Sequence, residues 1–118
     1  MDDRILKWLY DIKFAIAEID SYFVTSEKLF VKYKKNTMLK RAVERDLEII
    51  GEAVNRIIKK DSIYVEKISN SQAIIGLRNH VIHSYDNISD ENIWSILISH
   101  IPTLKVDIER LIEENSQN

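Results

Sequence analysis

An arginine, an amide, two histidines and a tyrosine crowd one short stretch, Leu77-Arg78-Asn79-His80-Val81-Ile82-His83-Ser84-Tyr85. Arginine stays charged and grips phosphate oxygens with a planar fork. Histidine has the side chain whose ordinary pKa lies nearest neutrality, so it can give or take a proton. The chemistry such a set could perform is cleavage of a phosphodiester by the neighbouring ribose 2′-hydroxyl. That reaction needs a base on the hydroxyl, an acid on the leaving oxygen and positive charge at the phosphate. Arg78 would clamp the non-bridging oxygens and His83 would serve as base or acid. Asn79 would orient the phosphate or the imidazole.

The spacing permits this without requiring it. On a helix, Asn79 and His83 share a face, whereas Arg78 and His83 lie about 140° apart, so the arginine must curl round or the helix must end at His83. Taken on spacing alone, an arginine paired with a bundle carboxylate and a histidine capping a helix end is the commoner arrangement. One chain offers one such histidine, so a two-fold dimer would be needed to supply both acid and base. His80 and His83 form an H-x-x-H pair with no evident third ligand, which makes a metal site a weak reading. His80 reads better as a supporting residue, and His100 as structural or exposed.

Other chemistries find little support. There are no cysteines, hence no disulfide framework or thiolate site. No glycine-rich phosphate loop, nucleophile elbow or Walker motif occurs, and no cofactor is implied. A net charge of −2 argues against a broad basic face for nucleic acid, and DNA is not expected as a partner. Lys28, Lys32, Lys34, Lys35, Lys40, Arg41 and Arg45 do cluster, but such a cluster ordinarily reads as a solvated face. The start, Met1-Asp2-Asp3-Arg4, has no signal-peptide pattern and no apolar run is long enough to span a bilayer, so a cytoplasmic protein with no membrane partner is expected.

The elements that must position the motif are helices. Only two glycines and one proline occur in 118 residues, and apolar side chains recur at three and four. The pattern predicts a first helix over about 3–23 and a short second one over 26–33. A turn follows at Lys34-Lys35-Asn36, and Asn36 or Thr37 then caps a long third helix over about 38–60. Gly51 in its middle suggests close helix approach. A polar connection with some helical character follows over 61–69. A fourth helix over about 72–83 carries the motif, and a fifth runs from Ser89 to about Glu113 with a kink at Pro102. The expectation is an all-α, antiparallel bundle of four to five helices forming one domain, 1–113, with 114–118 a frayed tail. Apolar residues crowd the last two helices (Ile74, Ile75, Leu77, Val81, Ile82; Ile93, Trp94, Ile96, Leu97, Ile98, Ile101), more than a small bundle needs, which points to a homodimer.

Glu44, Glu48 and Glu52 form a carboxylate ridge on the third helix, flanked by Arg41, Arg45 and Arg56. A salt-bridged solvated face is the simple reading. The sharper one has an acid of this ridge orienting Arg78 or His83, so Glu44 and Glu48 are candidate supporting residues. Trp8, Tyr10, Tyr22 and Trp94 sit at helical spacings suited to core or interface rather than base stacking.

The run Arg41-Ala42-Val43-Glu44-Arg45-Asp46-Leu47-Glu48-Ile49-Ile50-Gly51-Glu52-Ala53, then the Arg78 to Tyr85 motif, then Trp94 and Pro102-Thr103-Leu104, resembles the HepT-like family of HEPN-domain toxins over nearly the whole chain. The resemblance implies a HEPN bundle that dimerises around the motif and acts as a metal-independent RNase toxin. Its partner would be a minimal nucleotidyltransferase antitoxin. Arg78 and His83 would be the catalytic pair, Asn79 a supporting polar residue, and Tyr85 the tyrosine that the partner modifies with AMP to silence the toxin. Asp86 departs from the family pattern, which more often has an aromatic or apolar residue after the tyrosine, and the Pro-Trp often found before Ile74 is missing. The alternative is a non-catalytic subunit that binds nucleotide or substrate for a nucleotidyltransferase.

Overall fold

The computed structural model describes residues 3–23, 30–76 and 89–116. Helices account for almost all of them: α1 (Asp3–Ser21), α2 (Phe30–Lys35), α3 (Thr37–Lys60), α4 (Tyr64–Lys67), α5 (residues 71–76), α6 (Asp90–Ser99) and α7 (Ile101–Ser116). No strand occurs among the described residues, and the all-α bundle expected from the sequence is the fold.

The core follows from the periodicity. Ile5, Leu9, Ile12, Ala15, Ile16 and Ile19 form the buried stripe of α1, and α3 answers with Val43, Leu47, Ile50, Ala53, Val54 and Ile57. Ile101, Leu104, Ile108, Leu111 and Ile112 of α7 complete the packing. Gly51 is buried in α3. Helix α1 packs on both α3 and α7. Its C-terminal end lies beside the beginnings of both, where Tyr22 meets Asp46 and Asp20 meets Lys105, so α1 runs antiparallel to them.

Two local expectations are corrected, and the helical character expected over 61–69 is made definite. Lys34 and Lys35 belong to α2, and Asn36 alone separates α2 from α3. Cations in the last turn of α2 complement the helix dipole, and the Asn36 side chain accepts from the Leu39 N–H to cap α3. The polar connection after α3 contains a full turn, α4. The fifth helix is not kinked at Pro102 but divided into α6 and α7. Proline has no N–H to give to the carbonyl four residues back, so α6 ends before it. His100 closes α6 by donating to the Ile96 carbonyl, and its own carbonyl accepts from Leu104 to open α7. Pro102 thus sits in the first turn of α7, where a missing N–H costs nothing. Among the described residues, no helix is long and apolar enough to cross a membrane.

Candidate active site

Arg78, Asn79, His80, His83, Tyr85 and Asp86 lie outside the described residues, as do Leu77, Val81 and Ile82. The structure defines instead the two anchors between which the motif is strung, and the wall of α3 beside them.

The first anchor lies before α5. Asn70 adopts φ 58°, a left-handed conformation that asparagine tolerates, and its carbonyl accepts from Ile74. Just upstream, the buried Asp107 of α7 accepts the Ser69 N–H at 2.9 Å, while Arg110 donates to the Lys67 carbonyl and stands 3.6 Å from Asp107. A carboxylate taken from one helix therefore fixes the chain where it turns into the helix leading to the motif. Buried Ile68 and Ile74 flank this turn.

The second anchor is the start of α6. The Ser89 side chain accepts from Asn92, and its hydroxyl donates to Glu91. Its own backbone N–H first, then the Ser89 hydroxyl, hold the Glu91 carboxyl below its ordinary pKa. Asp90 reaches Lys40 at 3.4 Å and Glu91 reaches Lys34 at 3.7 Å, which ties α6 to α2 and the first turn of α3. Trp94 seals the joint against Phe23, Phe30 and Tyr33, with ring centroids 6.2, 5.9 and 5.2 Å away. It is a packing residue, as its spacing suggested.

Two of the three α3 ridge acids form ion pairs with arginines of the same helix. Glu44 meets Arg41 at 3.2 Å and Glu52 meets Arg56 at 3.1 Å. Glu48 and Glu52 line a cavity of about 320 Å³ with Trp8, Asp11, Ile49 and Arg56. These pairings accord with the salt-bridged face read from the sequence.

Sequence reasoning missed a second cluster. Tyr22 Oη lies 2.8 Å from Glu18 Oε1 and 2.9 Å from Asp46 Oδ2. A phenol has one proton to donate, so both contacts are hydrogen bonds only when a carboxyl brings a second. Asp46, 2% exposed, is the group placed to do so. Burial pushes its pKa up to about 6, and the Glu18 charge acts in the same direction, against the Tyr22 hydroxyl and Arg45. Asp107 was equally unmarked. A lone aspartate at a core-facing helical position was the available signal for both.

Among the described residues, no group of three or more His, Asp or Glu side chains is placed to hold a metal. The class of protein is thus a small helical bundle with a defined anchor on either side of the motif segment. The model of the ribonuclease HepT-like family matches residues 12–111, and the chain belongs to that family. It is 33% identical over 107 residues to Putative RNase MJ0127 of Methanocaldococcus jannaschii, covering 91% of this chain and 86% of that one. To Putative RNase MJ1380 of the same organism it is 35% identical over 112 residues, covering 92% and 98%. Putative RNase TTE0752 of Caldanaerobacter subterraneus subsp. tengcongensis is 33% identical over 87 residues, covering 72% and 75%. No solved structure matches the chain.

Proposed function

We propose that this protein is a metal-independent endoribonuclease toxin, a cytoplasmic homodimer with Arg78 and His83 as its catalytic pair. The observation that carries the reading is the Arg78-Asn79-His80…His83…Tyr85 motif in a chain of the ribonuclease HepT-like family. In the reaction, His83 of one protomer removes the 2′-hydroxyl proton and the oxygen attacks phosphorus. The bond from phosphorus to the 5′-oxygen breaks, and His83 of the second protomer protonates that oxygen. The products are a 2′,3′-cyclic phosphate and a 5′-hydroxyl. Arg78 stabilises charge on the non-bridging oxygens and Asn79 orients the phosphate, with His80, Glu44 and Glu48 in support.

Dimerisation draws some support from the outer face of α1 and α3, where Phe14 is 64% exposed and Ile49 and Trp8 stand close by. The apolar surplus of α6 and the start of α7 argues for it less than the sequence suggested, since Ile93, Leu97 and Ile101 are buried within the chain. A minimal nucleotidyltransferase would silence the protein by transferring AMP to Tyr85. The added bulk and negative charge would then keep substrate phosphate from Arg78.

The test is cleavage of total RNA by the purified protein in EDTA, beside His83→Ala purified identically. The reading expects cleavage by the parent alone. Equal cleavage by both proteins overturns the assignment of His83. No cleavage by a folded parent free of AMP favours the nucleotide- or substrate-binding subunit instead.

A further inference from the structure

Residues 28–45 hold seven basic side chains and one acid, in a chain whose net charge is −2. The described members of this set form a ridge on α2 and the first turns of α3. Lys32 and Lys35 are exposed, the Lys34 side chain is 56% exposed and that of Arg41 is 77% exposed. As composition, the cluster suggests no more than a solvated face. Its position in the fold says more. Lys40 and Lys34 hold Asp90 and Glu91 at the start of α6, so the ridge receives the chain directly as it leaves the motif. Whatever path the chain takes, covalent geometry keeps Tyr85 within about 18 Å and His83 within about 25 Å of Asp90.

We infer that this α2–α3 ridge, centred on Lys32 and Lys35, is where the phosphate backbone of single-stranded RNA lies beside the motif. The inference rests on the ribonuclease reading and adds the surface that carries substrate to it. Lysine ammonium groups suit this role because they meet phosphates as point charges without reading bases. The acids on the ridge do not forbid it. Solvent-exposed ion pairs such as Lys34–Glu91 are weak and screened by salt, so an incoming phosphate competes with them easily. The remainder of the chain is net negative and repels RNA, which confines the strand to this side. Binding of this kind is sequence-tolerant and steeply salt-dependent.

The probe is a short 2′-O-methyl single-stranded RNA, which keeps every phosphate and lacks the reactive hydroxyl. Its affinity is measured across a salt series for the parent, for Lys32→Gln/Lys35→Gln, and for Lys59→Gln/Lys105→Gln, which removes equal charge elsewhere. Loss of two phosphate contacts predicts roughly tenfold weaker binding near about 150 mM salt and a log–log salt slope smaller by about 1.4 for the ridge variant. The control variant should bind as the parent does. Parental affinity and slope in the ridge variant, or an equal loss in the control, overturns the inference. So does a ridge variant that keeps RNA affinity but no longer binds the partner nucleotidyltransferase, which would make the ridge a protein-docking surface. RNA cleavage by the same preparations separates the two levels. A parent that cleaves while ridge and control variants behave alike defeats only the ridge, whereas a folded parent that neither binds nor cleaves RNA defeats the ribonuclease reading with it.

Discussion

Two buried side chains behave differently from what their residue types suggest. Asp46 is held in its acid form more strongly in the fold than in the open chain, its pKa rising from 3.8 to about 6. The stabilisation this provides is complete below the open-chain value and is lost as pH climbs from about 4 through about 6, because the native state must then ionise a buried carboxyl. Asp46→Asn copies the protonated form and can still donate to Tyr22 or Glu18. Its melting temperature should exceed the parent's at pH 7.5, and the gap should shrink towards pH 4; a gap that does not change with pH would refute the shared proton. Tyr33 is 1% exposed, and its hydroxyl has no partner among the described residues. Burial first, then the charges of Glu44 and Asp90, push its pKa upward. Tyr33→Phe removes an unsatisfied polar atom and should leave stability unchanged or raise it by up to about 1 kcal/mol in denaturant titrations. Neither effect was legible in the sequence. Asp46 follows Glu44 and Arg45 in a charged run, and only the approach of Tyr22 from α1 separates it from its solvated neighbours.

Element boundaries were legible wherever a side chain enforces them. Asn36 caps α3 and Ser89 caps α6, as the sequence suggested, because each offers an oxygen to an N–H three residues on. Pro102 was recognised as a breaker, but it divides two helices where a kink in one was expected. A proline can kink a helix or open a new one, and the choice depends on His100 serving both α6 and α7. The most consequential device between elements is Asp107, since an aspartate midway along an amphipathic helix gives no hint of a distant backbone partner. Asp107→Ala leaves the Ser69 N–H unsatisfied and should cost about 1–3 kcal/mol of unfolding free energy. If the turn it holds also aims the motif, RNA cleavage should fall more than the unfolded fraction explains. Full stability in this variant would remove Asp107 as an anchor.

For the molecule as a whole, the periodicity sufficed for the bundle, because apolar stripes on α1, α3 and α7 leave few ways to bury them together. The motif was visible as residue types, while the reaction proposed for it calls for a pairing of chains that no single sequence displays. The account expects a sedimenting mass twice the chain's 13.9 kDa at micromolar concentration. A monomer under those conditions would leave each site with a single copy of His83 and contradict the two-histidine reaction. The central claim is transesterification through the 2′-hydroxyl, and end-group analysis of cleaved RNA tests it most directly. The account predicts 2′,3′-cyclic phosphate and 5′-hydroxyl ends from the parent in EDTA and none from His83→Ala. Fragments ending in 3′-hydroxyl and 5′-phosphate, or the same ends from both proteins, would contradict it.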